Sequence, residues 1–120
     1  MGSVMTDHPW VAEFPAAITV VDAAGVILEM NDKSVMTFAS EGGAGLVGKS
    51  SLECHPEPSR SKLRQLLAEQ RSNLYTIEKG GVKKLIAQLP WYRNGEFSGM
   101  VELAVEIPAD LPHFVRNGSG

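Results

Sequence analysis

The sequence predicts an α+β domain in which helices pack on one face of a five-stranded antiparallel sheet. Residues 82–107 alternate apolar and polar side chains on both sides of Asn94-Gly95, which is the pattern of a hairpin with one buried face. Residues 17–30 show a second, shorter hairpin pattern, and helical patterns separate it from the other strands. Because a lone hairpin is unstable in water, the fifth strand and the helices are expected to cover it.

Composition limits the function classes. The 120 residues suffice for one domain with one core, and contents of 43% hydrophobic and 21% charged residues are typical of a globular protein. A net charge of −3 argues against nucleic acid or an anionic membrane as the main partner. No apolar run approaches the roughly 18 residues of a membrane span. The single cysteine, Cys54, excludes an internal disulfide and a paired-cysteine metal site. We therefore expect a cytoplasmic protein.

A short leading helix is predicted from Asp7 to Glu13, with Asp7 as its N-cap. Trp10, Val11 and Phe14 give this helix an apolar stripe that is wide for its length. Such a stripe usually finds a partner, which is either the rest of the domain or a second copy of the chain.

The first hairpin follows directly. Residues Ala17–Asp22 are β-branched and strand-like, Asp22–Gly25 fits a tight turn, and Val26–Met30 is the returning strand. Asn31 or Asp32 can then cap a helix over residues 33–39. The side chains expected to face inward from this helix are Val35, Met36, Phe38 and Ala39.

The middle of the chain is predicted as a glycine-rich loop over residues 40–51, followed by the longest helix. This helix is expected to begin at Pro58 or Ser59 and to end near Arg71. Residues 74–79 form the next strand, which the Gly80-Gly81 turn leads into the long hairpin.

In the long hairpin, face parity favours a three-residue Arg93-Asn94-Gly95 loop that pairs Trp91 with Phe97 and Ala87 with Val101. Pro90 lacks an N–H and is expected to leave one edge of its strand unpaired or bulged. The bulky side chains expected to face the helices are Leu85, Leu89, Trp91, Phe97, Val101 and Leu103.

Several of these segments together resemble a PAS domain. Residues 20–31 are similar to the first hairpin of that family: a hydrophobic strand, an Asp-x-x-Gly turn, a second strand and an Asn at the helix start. Residues 46–50 resemble its glycine-containing segment, and Asn94-Gly95 with Gly99 resembles its last hairpin. The resemblance covers residues 14–107, preceded by a tail with the short helix (1–13) and followed by a C-terminal tail (108–120). Cys54-His55-Pro56 further resembles a bacterial subgroup with a His-Pro entry to the long helix.

The resemblance implies sensing rather than catalysis, with a cavity between sheet and helices that holds a small molecule or cofactor. It also implies a homodimer that regulates an attached or partner output domain. The alternative is a protein–protein interaction module whose core is filled by side chains. The dimer contacts are expected from the leading helix and the outer face of the sheet, namely from Trp10, Val11, Phe14, Tyr92 and Met100.

Cys54 and His55 are the most reactive pair near the start of the long helix. Flavin photochemistry is rejected, because Ser51 stands where light-sensing members carry their cysteine. His55 could ligate haem iron, but a single histidine near a loop is more often a hydrogen-bonded structural residue, and Cys54 a small buried hydrophobe. The histidines have no metal-ligand spacing, and no nucleophile motif indicates an enzyme. The candidate cavity-lining residues are Cys54, His55, Trp91, Met30, Met36, Val101 and Leu103.

Overall fold

A five-stranded antiparallel sheet forms the frame of the computed structural model, which describes residues 8–118. The sheet has the order β2-β1-β5-β4-β3, so the first hairpin and the last hairpin meet at its centre through β1 and β5. The predicted α+β class is therefore confirmed. The strands are Ala17–Asp22 (β1), Ile27–Met30 (β2), Asn73–Lys79 (β3), Val82–Arg93 (β4) and Glu96–Ile107 (β5).

The helices are shorter than the sequence suggests. The predicted loop over residues 40–51 contains two single-turn 3₁₀ segments, and the predicted Asp7 cap of the leading helix lies outside the described residues. The longest helix stops before Arg71 because Gln70 adopts a left-handed backbone conformation, with φ of 56°. None of the described helices is long and apolar enough to cross a membrane. They are Pro9–Ala12 (α1), Asp32–Thr37 (α2), Ser51–Cys54 (α3) and Ser59–Glu69 (α4), with 3₁₀ segments at Ala39–Glu41 and Gly43–Leu46.

The turn of the first hairpin is held by Asp22. Its Oδ1 accepts hydrogen bonds from the backbone N–H groups of Ala24 and Val26, both at 2.9 Å. Its carbonyl accepts a third from the N–H of Gly25, also at 2.9 Å. The side chain thus satisfies donors that the tight turn leaves unpaired, as the sequence predicts for an Asp in this position.

Asn31 joins four segments of the chain. Its Oδ1 accepts from the backbone N–H groups of Ile18 (2.8 Å) and Ser34 (3.1 Å), and the second bond caps α2. Its Nδ2 donates to the carbonyls of Val11 (3.1 Å) and Ala16 (2.9 Å). The residue is only 2% exposed, so these bonds satisfy groups that water cannot reach.

The core lies between the helices and one face of the sheet, which we call the inner face. Leu66 of α4 is fully buried there, against β-strand residues that include Met30 and Met100. Val35, Phe38 and Phe97 pack against the same cluster, whereas Met36 is 75% exposed, so its predicted inward orientation is wrong. The buried members are Val21, Ile27, Met30, Leu46, Leu63, Leu66, Leu67 and Met100.

The turn of the long hairpin differs from the prediction. Arg93 pairs with Glu96, which leaves Asn94 and Gly95 as a two-residue turn with φ values of 52° and 80°. Positive φ at both positions matches the right-handed twist of the flanking strands, which explains why Asn-Gly suffices without a third residue. The predicted three-residue loop is wrong.

A bulge beside this turn restores the alternation of the two faces. Tyr92 pairs with Phe97 but Trp91 pairs with Gly99, so Ser98 is an extra residue in β5. Ala87 consequently pairs with Leu103, two positions beyond the predicted partner. A shift of two residues keeps the same side chains on the same face, so the predicted grouping holds from Gly99 onward although the register does not. Phe97 lies on the turn side of the bulge and packs against the core, so its predicted place beside Trp91 is wrong.

The apolar face of the long hairpin points away from the helices, contrary to the prediction. Met100 is 3% exposed and belongs to the core, so its neighbours Val101 and Leu103 lie on the opposite, outer face. Their cross-strand partners Leu89 and Ala87 lie there too. Alternation identifies which residues share a face, but only packing against other elements decides which face the helices cover. The outer face also carries Val20, Leu74, Leu85 and Val105, with most of its apolar side chains partly or largely exposed.

Trp91 crosses the sheet instead of entering the core. It lies opposite Gly99, and its Nε1–H donates to the carbonyl of Val21 in β1, at 3.0 Å. Gly99 has φ of 147°, and a Cβ there would overlap the same carbonyl oxygen. The close approach of three strands at this point therefore requires glycine.

Replacing Asn31 with Ala should lower the free energy of unfolding by about 3 kcal/mol or more, because several buried backbone groups would lose their hydrogen-bond partner at once. Asn73→Ala is the matched control. It removes one half-buried side-chain pair with Gln88 and should cost about 1 kcal/mol or less. Urea denaturation followed by circular dichroism measures both. Equal costs for the two variants would contradict the role given to Asn31.

Gly99→Ala should destabilise the fold by about 3 kcal/mol, through backbone strain and overlap with β1. Gly45→Ala, where an added Cβ meets nothing within 4 Å, should change stability by no more than about 0.5 kcal/mol. Thermal unfolding of the two variants side by side separates a local overlap from a general effect of losing glycine. An unchanged melting temperature for Gly99→Ala would disprove the close approach.

Candidate functional site

A row of polar side chains crosses the inner face of the sheet. The register places Thr19, Glu102, Gln88 and Asn73 side by side on four neighbouring strands. Asn73 Nδ2 donates to Gln88 Oε1 at 2.9 Å, and Gln88 Nε2 donates to Glu102 Oε2 at 3.0 Å. At the other end, the Thr19 hydroxyl shares a hydrogen bond of 2.5 Å with Ser34 of α2. We call these four residues the polar row.

A cavity of about 260 Å³ separates the polar row and the neighbouring core from the helices. Side chains from β1, β2 and β5 form its floor, and the 3₁₀ segments, α3 and α4 form its roof and rim. Thr19, Gln88 and Glu102 of the polar row line it together with His55, and the rest of the lining is mostly apolar. The lining residues that the argument uses are Val21, Met30, Phe38, Glu41, His55 and Glu102.

The structure brings together three of the seven predicted cavity residues. Met30, Cys54 and His55 line the cavity. The other four lie elsewhere: Met36 on the exposed side of α2, Trp91 across Gly99, and Val101 and Leu103 on the outer face. The predicted position of Trp91, Val101 and Leu103 is wrong because it depended on directing the apolar face of the hairpin toward the helices, whereas Met36 lies on the exposed side of its own helix.

His55 is held by its own neighbourhood. Its Nδ1 lies 2.6 Å from the carbonyl oxygen of Ser51, and since a carbonyl only accepts, Nδ1 is the protonated nitrogen. The backbone carbonyl of His55 accepts from Arg60 Nε at 3.1 Å, which ties the residue to the first turn of α4.

Cys54 ends α3 and is an exposed free thiol, so the expectation of a buried thiol is wrong. Ser51, at the start of the same short helix, is 4% exposed, and its hydroxyl donates to the carbonyl of Gly25 at 2.5 Å. This serine therefore has a structural role in joining α3 to the first hairpin. It occupies the position at which the flavin comparison expected a cysteine.

A second cavity, of about 490 Å³, lies beside the first. The two share His55, Leu63, Gln88 and Glu102, so they meet at the polar row. The second is otherwise lined by the start of α4 and by the inner side of β3, including Tyr75. It forms a vestibule on the polar side of the first cavity.

The charge of the first cavity is negative. Glu41 and Glu102 line it, and among the described residues that line it there is no lysine or arginine. Burial, and to a smaller extent the negative charge of Glu102, raises the pKa of Tyr75 above its ordinary value.

The lining residues do not fit a haem. The first cavity holds about 260 Å³, and the described residues that line it include no lysine or arginine that could pair with the haem propionates. A metal ion also lacks a ligand set, since within residues 8–118 no three His, Cys, Asp or Glu side chains converge.

Sequence reasoning missed Thr19, Gln88 and Glu102. Each occupies a polar position of a strand alternation, which on a single strand indicates a solvent-facing side chain. The signal that identifies them lies in their neighbours: Met100 and Ile86 are apolar residues at the same parity as Glu102 and Gln88. When both faces of a strand carry apolar residues, alternation alone does not show which face is buried.

No family model and no curated protein sequence matches the chain. Solved structures do. The Aer2 receptor of Vibrio cholerae, described as a dual PAS-haem oxygen sensor, superposes with a TM-score of 0.59 at 15% identity, over 78% of this chain and 95% of that one. The PAS domain of BvgS from Bordetella pertussis gives 0.60 at 19%, over 88% and 86%.

The PAS domain of the histidine kinase ThkA gives a TM-score of 0.59 at 17% identity, over 75% of this chain and 97% of that one. At such identities the comparisons establish the fold and leave binding residues to this chain's own geometry. The order of its elements, its antiparallel sheet and these superpositions agree. The chain therefore has the fold of a PAS domain.

Proposed function

We propose that the chain is a sensory module that binds a small molecule between sheet and helices, dimerises, and regulates an attached or partner output domain. The observation that carries the proposal is the cavity of about 260 Å³ behind the polar row. A module that only held proteins together would gain stability by filling this space, because empty interior volume costs packing energy.

The arrangement of side chains supports binding rather than turnover. His55 uses Nδ1 on a backbone carbonyl, not on a carboxylate that would orient it as a general base. Glu102 is held by Gln88, and Ser51 by the carbonyl of Gly25. These groups are placed to recognise a ligand, and a nucleophile activated by a base is not among them.

The outer face supports the dimerisation part of the proposal. Partly exposed Val101, Leu103 and Leu89 lie beside Leu74, which is 57% exposed, and together they form an apolar surface larger than isolated exposed residues would. Trp10 and Phe14 are also exposed, and their rings stack edge to face at 5.8 Å. These are the contacts we propose for a second copy.

Three residues are withdrawn from the expected dimer surface. Val11 is 5% exposed and packs on its own domain, and Met100 belongs to the core. Tyr92 is 54% exposed but pairs with Phe97, which packs against the core, so it lies on the side of the hairpin opposite Val101 and Leu103. The surface proposed for the dimer is therefore the outer face with Trp10 and Phe14.

Native mass spectrometry of freshly purified protein should detect a bound small organic molecule that is released on denaturation. Leu63→Trp, which places an indole where the two cavities meet, should abolish that species while circular dichroism stays unchanged. Leu85→Trp, the same substitution on the outer face, should leave it in place. If no species is present, and fragment screening finds no cavity binder, the interaction module with a filled core is the better function.

Leu74→Lys should raise the dimer dissociation constant by roughly tenfold, because it places a charge in the proposed apolar interface. Met36→Lys is the control: it makes the same kind of change at an exposed apolar residue of α2, on the helical side. Sedimentation equilibrium measures both. A monomeric wild type at high concentration would overturn the proposed dimer.

A further inference from the structure

The polar end of the cavity offers many acceptors and few donors. Glu102 Oε2 already accepts from Gln88, and within residues 8–118 its second oxygen has no hydrogen-bond partner. His55 lines the cavity too, and its Nδ1 is already used on the carbonyl of Ser51. Glu41 is a further lining carboxylate, but it is exposed, and one of its oxygens accepts from Ser40. A ligand that satisfies these groups must bring its own N–H donors.

The described residues that line the first cavity have few hydrogen-bond donors left for a ligand, and Lys62 lines only the vestibule. Gln88 gives one amide hydrogen to Glu102, which leaves one for a ligand. Thr19 and Ser34 bond to each other, so this pair has one hydroxyl hydrogen to spare. At the polar row an anionic ligand would therefore meet the Glu102 carboxylate and at most two neutral donors, which is an unfavourable balance.

The other end of the cavity is apolar. Val21, Met30, Phe38 and Met100 line it, and Met30 and Met100 are flexible side chains that adapt to different ligand shapes. The molecule that matches both ends has a compact apolar body and a cationic head.

We infer that the cavity selects a small organic ammonium ion, whose N–H groups bond to the Glu102 carboxylate while its apolar body packs on the core. The inference rests on the proposed function and names its ligand class. Glu102 is the specificity-determining residue, because it lies where the cavity and the vestibule meet and its second oxygen is free. Gln88 positions that carboxylate through the bond to Oε2.

Three probes of similar shape and different charge test the inference on the unmodified chain: 2-phenylethylammonium, 2-phenylethanol and 3-phenylpropionate. Methyl spectra of ¹³C-methionine-labelled protein report the binding. Met30 and Met100 line the cavity and should shift, whereas exposed Met36 should not. We expect the ammonium ion to bind roughly tenfold more tightly than the alcohol, as for a charge-assisted hydrogen bond, and the carboxylate to bind weakest.

Glu102→Gln keeps the shape and an acceptor for Gln88 but removes the charge, and should erase the preference for the ammonium ion over the alcohol. Glu106→Gln removes an equal charge from the same strand at an exposed position and should leave the preference unchanged. Equal loss in both variants would indicate long-range attraction instead of a bond to Glu102, and would overturn the inference.

The outcomes separate this inference from the proposed function. If the alcohol or the carboxylate shifts Met30 and Met100 as readily as the ammonium ion does, the cavity binds ligands without the proposed selectivity, and only the inference fails. If none of the three shifts them even in the millimolar range, the inference fails. The native mass spectrum of the freshly purified protein then decides independently whether the sensory function stands.

Discussion

The hydrogen bonds of one buried amide hold the first third of the domain together. Asn31 bonds to β1, to the first turn of α2, to α1 and to the segment before β1. Each of these backbone groups is shielded from water, so losing the amide would leave several polar groups unpaired in the interior. The same capping bond fixes where α2 begins. It thereby places Ser34 against Thr19 and Phe38 over the cavity.

The face of the sheet that the helices cover carries polar side chains, which is possible because the members of the polar row bond to one another. Buried polar groups cost little when they bond to one another, and Asn73, Gln88 and Glu102 do so in sequence across three strands. The outer face is more apolar and is covered by none of the longer helices. A contiguous apolar surface of this kind is uncommon on a monomer, and association with a second copy is the simplest way to bury it.

Both proposed activities act on the same strand of the sheet. Glu102 faces the cavity, and the adjacent Val101 and Leu103 face the proposed partner. β5 is also the central strand, bonded to β1 on one side and to β4 on the other. A ligand that shifts Glu102 therefore bears directly on the strand that presents the outer face. This gives the proposed sensor a short physical route from the cavity to the dimer surface.

Local patterns determined the element order, the Asp22 turn, the cap at Asn31 and the resemblance to a PAS domain, because turns, caps and strand periodicity depend on neighbouring residues. Tertiary packing decided which face of the long hairpin the helices cover. It also decided that Ser98 bulges beside a two-residue turn and that Glu102 and Gln88 meet His55 in one cavity. Those outcomes depend on contacts between residues far apart in the chain. The alternation within a single strand is the same whichever of its two faces is buried.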